Sequence, residues 1–307
     1  MIAAVASKEL RALLRDGRLW GLGAVVAVLL LTVLATALHQ RQVDERERLQ
    51  VEVASRDQWD HQGARNPHRA AHFGLYAFKP QMPLASVDPG IQAHTGQALW
   101  LEPHKRNMAL HIRAADAPPS IRLGPFTPAL VLLALVPLLI AVLGHGSVTQ
   151  EREQGTLRML HASGMRGVPL VLGKWLGLCA GLALVLAPAL LVGGWLLAAQ
   201  QGVRQALLLA LALVLYYATW AALAVAVSAR CHTSRSALLV LLALWVGCVF
   251  VLPRMAASVV EQGMHLPTGE QFWAAIQRDI DNGLPGDGTA AARMKAFDAQ
   301  LLAEQGV

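Results

Sequence analysis

Cysteine is scarce in this 307-residue chain, and the three present are poorly placed for any covalent framework. Cys179 and Cys248 lie in apolar stretches, where a thiol behaves as a small hydrophobe. Cys231 lies in a short basic loop. Neither large polar region, 40–125 or 254–307, holds one, which excludes a disulfide scaffold or thiolate metal site there. Charge is sparse too: 15% of residues are charged against 55% hydrophobic, and mean hydropathy is +0.43. That balance excludes an ordinary soluble domain. A phosphate-cradling loop is missing. "GVPLVLGKW" (167–175) is one residue too long for the Walker pattern and has Trp175 where a hydroxyl is needed. No Ser–His–Asp or paired-carboxylate arrangement is legible, so the chain is not read as an enzyme.

What is present is apolar sequence gathered into blocks: 19–38, 126–145, 169–199, 206–229 and 237–253, the last ending at Pro253. A membrane-crossing helix needs about 20 such residues. The fold class expected is therefore an all-α polytopic membrane protein with five visible spans. The first block is no cleavable signal, because "SKELRALLRDGR" before it is too long and its apolar run exceeds a signal core. Ionisable groups are nearly absent from the blocks, Lys174 and His145 lying close enough to the ends to snorkel. An ion-coupled carrier would place acids or histidines at mid-membrane, so the driving force is expected from a partner. Tyr216, Tyr217, Thr219 and Trp220 sit mid-span and suit either a lined path or helix packing.

The net charge of +6 and isoelectric point near 9.6 come largely from loop residues and imply no nucleic-acid partner. Lys8, Arg11, Arg15 and Arg18 precede the first span. Arg152, Arg158 and Arg166 follow the second, and Arg230 and Arg235 follow the fourth; the other side offers Arg204 alone in its short loop. Basic short loops face the cytoplasm, which places the N-terminus inside. Five spans then leave the C-terminus outside, and a six-span protein of which 254–307 begins a second outer region is expected. Residues 1–18 suit an amphipathic connecting helix on the inner surface, 19–39 the first span, and 126–253 spans two to five.

Residues 40–125 form an extracytoplasmic insertion. Its charged start reads as a helix continuing out of the membrane, and Trp59, Phe73, Tyr76, Phe78 and Trp100 supply core material for a small mixed α/β domain. It holds His61, His68, His72, His94, His104 and His111, with Met82 and Met108 as softer candidate ligands. His68 and His72 are four apart, as on one helical face, and are the weak candidates for metal ligation. The remaining spacings match no metal signature, so no metal site is assigned.

The most informative stretch is "EREQGTLRML" (151–160), inside the polar loop 146–168. Glu151 and Glu153 come early, Gly155 permits a break, Thr156 can cap a new helix, and Leu157 and Leu160 face one way with Arg158 on another side. This predicts a helix–break–short-helix hairpin. Glu151, Arg152, Glu153, Gly155, Thr156, Leu157 and Leu160, followed by Gly173-Lys174, resemble the coupling element of type-2 ABC exporter permeases, the ABC-2 family. "SKELRALLRDGR" is similar to that family's connecting helix. The insertion resembles a subfamily with an uncharacterised outer domain, related to permeases of gliding motility and copper-enzyme maturation.

The resemblance implies a bacterial inner-membrane permease that pairs with itself or a paralogue and binds two ATPase subunits, which hold ATP and Mg. It further implies that Glu151, Arg152 and Glu153 pair with an ATPase groove while Leu157 and Leu160 fill an apolar notch. An ABC-type mechanotransmitter acting on an outer partner through 40–125, and a histidine-using metal-delivery protein, are the alternatives.

Overall fold

The computed structural model describes residues 1–104, 107–110, 126–264, 267–283, 286 and 288–305. His111 and the end of the insertion, 111–125, lie outside these. Among the described residues, five helical stretches are long and apolar enough to cross a membrane: Gly17–Asp60, Pro128–Glu153, Gly167–Ala199, Val203–Arg230 and Ser234–Gly263. The chain divides into two compact units, Met1–Val249 and Phe250–Val307.

In the first unit, α1 (Ile2–Arg15) and α2 (Gly17–Asp60) are separated only by Asp16, whose carboxylate accepts from the Arg18 backbone N–H at 3.0 Å. Side-chain hydrogen bonds from Arg18 hold that carboxyl below its usual value. Helix α2 spans 44 residues, or about 66 Å at 1.5 Å per residue. It therefore carries both the first span and the charged helix beyond it, as its sequence suggests.

The domain between spans one and two is small. After α3 (Pro67–Ala71), strand β1 (Leu75–Phe78) pairs antiparallel with β2 (Ala98–Leu101), Leu75 opposite Leu101. Tyr76 and Trp100 face each other across the pair at 4.6 Å between ring centroids, and Trp59 meets Phe73 edge-on. All four aromatics are only half-buried.

The second span is the inner one, with 67% of its apolar window buried, more than any other span. It starts as one turn, Pro128–Leu130, widens to a π-segment, Val131–Leu135, and continues as α4 (Val136–Gly144). Pro137 has no N–H to offer the carbonyl four residues back, at Leu133. Tyr216 supplies the missing donor, its hydroxyl lying 2.9 Å from that oxygen. Tyr217 donates to the Leu132 carbonyl at 3.1 Å and the Trp245 indole to Ala134 at 2.8 Å.

After α5 (Thr149–Glu153) and α6 (Thr156–Ala162), α7 (Gly167–Gln201) forms the third span and α8 (Val203–Arg230) the fourth. Glycines 173, 177 and 181 recur every fourth residue along α7 and receive α1. Val5 and the Ile2 carbonyl meet Gly173, Glu9 and the Ala6 carbonyl meet Gly177, and Leu13 meets Gly181. Val185 then abuts Gly23, and Leu34 abuts Gly193, so α1 and α2 run the same way along α7. The apolar side of α1, expected to lie on the membrane surface, is covered by this glycine stripe, because small residues let backbones approach closely. The fifth span begins with α9 (Ser234–Val246).

The fifth helical stretch, expected to end at Pro253, runs on to Gly263. A π-segment, Gly247–Val251, precedes the proline, and Pro253 occupies the first turn of α10 (Leu252–Gly263), where a missing N–H costs nothing. Within the second unit, α11 (Gly269–Asn282) opens on a capping box of Thr268 and Gln271. Helix α12 is Ala290–Gln305, and Arg293 donates to the Ile280 carbonyl at the end of α11 at 2.9 Å.

Candidate functional site

The polar loop after the second span is built around Ser228, a fully buried hydroxyl of α8. It donates to the His145 carbonyl at 2.7 Å and accepts from the Val148 and Thr149 amides at 3.0 and 3.2 Å. Thr149, also fully buried, reaches the Ser234 hydroxyl at 3.0 Å. Ser228→Ala leaves two amides of a buried turn without their acceptor, a loss of about 1–3 kcal/mol. A fall in the thermal unfolding midpoint in detergent is expected; an unchanged midpoint would show that the node is dispensable.

Helix α5 then sends three charges to different helices. The Glu151 carboxylate accepts from Lys8 of α1 at 2.5 Å and from Lys174 of α7 at 3.0 Å, and Lys174 donates to Glu9 of α1 at 3.0 Å. Lys174 is only 1% exposed. It does not snorkel as its place near a helix end suggests; three glycine-seated turns of α1 bring it a carboxylate instead. Arg152 donates to the Ala229 carbonyl at 2.8 Å and to the Cys231 carbonyl, a cation at the carbonyl end of α8. Glu153 accepts from the Ser234 backbone N–H and hydroxyl, both at 2.8 Å, an anion at the amide end of α9.

Gly155, with φ at +75°, breaks the chain between α5 and α6. A Cβ there would meet nothing, so it is the left-handed backbone that favours glycine. The expected cap, Thr156, is instead the first residue of α6. Its hydroxyl turns back to the Glu151 carbonyl at 3.2 Å, because Gly155 occupies the capping position. Leu157 packs half-buried against the core and Leu160 is half-buried, whereas Arg158, Met159 and His161 are exposed. Glu151 differs most from its expected role. Buried and held by two lysines, it faces helices of its own chain.

Sequence reasoning missed Lys8, Glu9, Ser228 and Ser234 as members of this site. A lone lysine beside glycines in an apolar run was the available signal, since a charge so placed needs a partner.

The mid-span group does not share one surface. Tyr216 and Tyr217 spend their hydroxyls on the second span, Thr219 bonds the Leu215 carbonyl of its own helix, and Trp220 is buried. Of the four, Tyr217 alone lines an apolar cavity of about 480 Å³, among Leu30, Leu34, Leu186, Leu190 and Leu213. On the domain between spans one and two, His68 and His72 do lie on one face, and His104 joins them.

These features define a multi-pass α-helical membrane protein whose second-to-third-span loop is anchored to α1 and to its third, fourth and fifth helical stretches. A family model described as "ABC-2 family transporter protein" matches residues 3–284, and the chain belongs to that family. Members are typically non-catalytic membrane subunits served by ATPase partners. Neither the curated proteins nor the solved structures gave a match.

Proposed function

We propose that this subunit is the permease of an exporter in a bacterial cytoplasmic membrane, driven by ATP and Mg held in separate ATPase subunits and working beside a second permease, identical or paralogous. The observation that carries this reading is the division of labour in 146–168. Glu151, Arg152 and Glu153 bind four helices from within, while Arg158, Met159 and His161 stay exposed on α6. Force applied to α6 passes through Gly155 and the α5 bonds to the spans. Leu157 and Leu160 belong partly to the anchor and partly to the docking face. The basic short loops support a cytoplasmic position for this element, and spans poor in ionisable groups favour ATP over ion coupling.

With a cognate ABC ATPase co-expressed, Met159→Glu and Arg158→Glu should abolish co-purification. Arg152→Ala should keep it but reduce transport-coupled ATP hydrolysis about tenfold, within the range of ordinary coupling free energies. Normal co-purification by both α6 variants, or normal coupling by Arg152→Ala, would sink the assignment.

A mechanotransmitter is the second reading, favoured by α2 running unbroken from the first span into the outer domain. The Ala129 amide of the second span also bonds the Val87 carbonyl of that domain at 3.0 Å. An ATP-dependent change in outer-domain protease sensitivity, without vesicle accumulation of any solute, would favour it.

A further inference from the structure

We propose that His68, His72 and His104 form a binding site for one borderline divalent transition-metal ion, of the zinc(II) or copper(II) class, on the domain between spans one and two. Each offers a ring nitrogen, and these atoms all lie within 4.8 Å of one another. The Nε2 atoms of His68 and His72 are 3.2 Å apart. Tetrahedral bonds of about 2.0–2.1 Å to a metal place ligand nitrogens about 3.3–3.4 Å apart, so this pair already stands at ligand spacing. His104 closes the set from the other side, its ring centroid 5.8 Å from His68 and 5.5 Å from His72.

The convergence is built by two separate segments. Pro67 starts α3 and the Asn66 side chain caps it through the His68 amide at 3.0 Å, which sets His68 and His72 on one face. The sheet register does the rest. With Leu75 opposite Leu101, the residue three before the first is His72 and the residue three after the second is His104. Gly74, at φ +74°, lies against the Trp100 ring where any side chain would overlap, and this contact locks α3 to the end of β2. His104 itself holds φ at +63°, a backbone uncommon outside glycine, which persists only where the surroundings impose it.

The donor chemistry selects the ion. Three imidazoles with no carboxylate or thiolate in the group suit zinc, copper or nickel and not magnesium or calcium. All three residues are exposed, which leaves a fourth coordination position open to water or to a ligand from solution. This proposal stands apart from the transport reading, because it is decided by metal content alone.

The full chain, purified in detergent without a polyhistidine tag and stripped with chelator, is dialysed against Zn²⁺ or Cu²⁺ in excess Mg²⁺. One ion per chain is expected. His72→Ala and His104→Gly should each weaken binding about tenfold or more, since affinity rests on the ligand set, while His94→Ala should leave it unchanged. His104→Gly removes the ligand yet suits the left-handed backbone, so loss there is not a folding defect. Cu²⁺-loaded protein should show nitrogen hyperfine coupling in its electron paramagnetic resonance spectrum. Absence of stoichiometric binding, binding that survives removal of all three histidines, or equal loss in His94→Ala would overturn the site.

Discussion

Lys174→Met is expected to destabilise the protein by about 3–5 kcal/mol, the usual result of removing one member of a buried ion pair. The side chain is 1% exposed and is shared by Glu9 and Glu151, which are 13% and 9% exposed. Deleting the ammonium leaves two carboxylates close together with little water. Lys8 still reaches Glu151, but it is 61% exposed and pairs from the solvent side, where such a contact is worth little. Among the described residues the second oxygen of Glu151 is already buried without a hydrogen-bond partner, so the site has no slack to absorb the loss. Monodispersity and the unfolding midpoint in detergent should both fall. The triple variant Glu9→Gln, Glu151→Gln, Lys174→Met should recover most of the loss, because apolar and neutral replacements of a whole buried network are often tolerated. A single Lys174→Met as stable as the parent would refute the account.

Gly177→Leu should prise α1 from the third span. Even a Cβ at this position would lie 2.6 Å from the Glu9 Cβ and 2.9 Å from the Ala6 carbonyl oxygen. The backbone contact cannot be relieved by turning a side chain. Overpacking of this kind costs about 1–3 kcal/mol, here drawn from the seating of α1 and therefore from the Glu9–Lys174 pair as well. In a background without Cys179, Cys231 and Cys248, a cysteine replacing buried Leu13 reports the displacement. Its thiol labelling should quicken about tenfold, the factor that 1.4 kcal/mol provides, and Gly177→Ala should give a smaller increase. Unaltered labelling in Gly177→Leu would mean that α1 is held elsewhere.

Much of the architecture was legible because the bilayer imposes simple rules. Long apolar blocks announced the spans, a charged continuation announced the run of α2 beyond the first span, and Gly155 announced the break in 151–160. The site was legible only as a location. Glu151 and Lys8 are 143 positions apart, and no local pattern shows that the turn after the second span will meet the first helix. Gly173, Gly177 and Gly181 carried that information, but as absent side chains, which hydropathy does not register. His104 was hidden for a related reason. Its partnership with His72 is set by strand register across the connection 79–97, while His68 in α3 and His72 at its C-cap are four apart and were visible as a pair. Pro253 misled because a π-segment absorbs the missing hydrogen bond that would otherwise end the helix.

The same device precedes Pro137, and it bears on how such chains diverge. A π-turn is an α-helix holding one residue more than its length requires, and each residue turns a helix by about 100°. The residues before Val131 therefore present different faces from those an unbroken α-helix would offer. A homologue lacking this proline would be expected to lack one residue as well, or else to show its opening turn, Pro128–Leu130, rotated against the first span. Gaps of a single position in the second and fifth spans, paired with gain or loss of proline, are thus the insertions this membrane domain can accept.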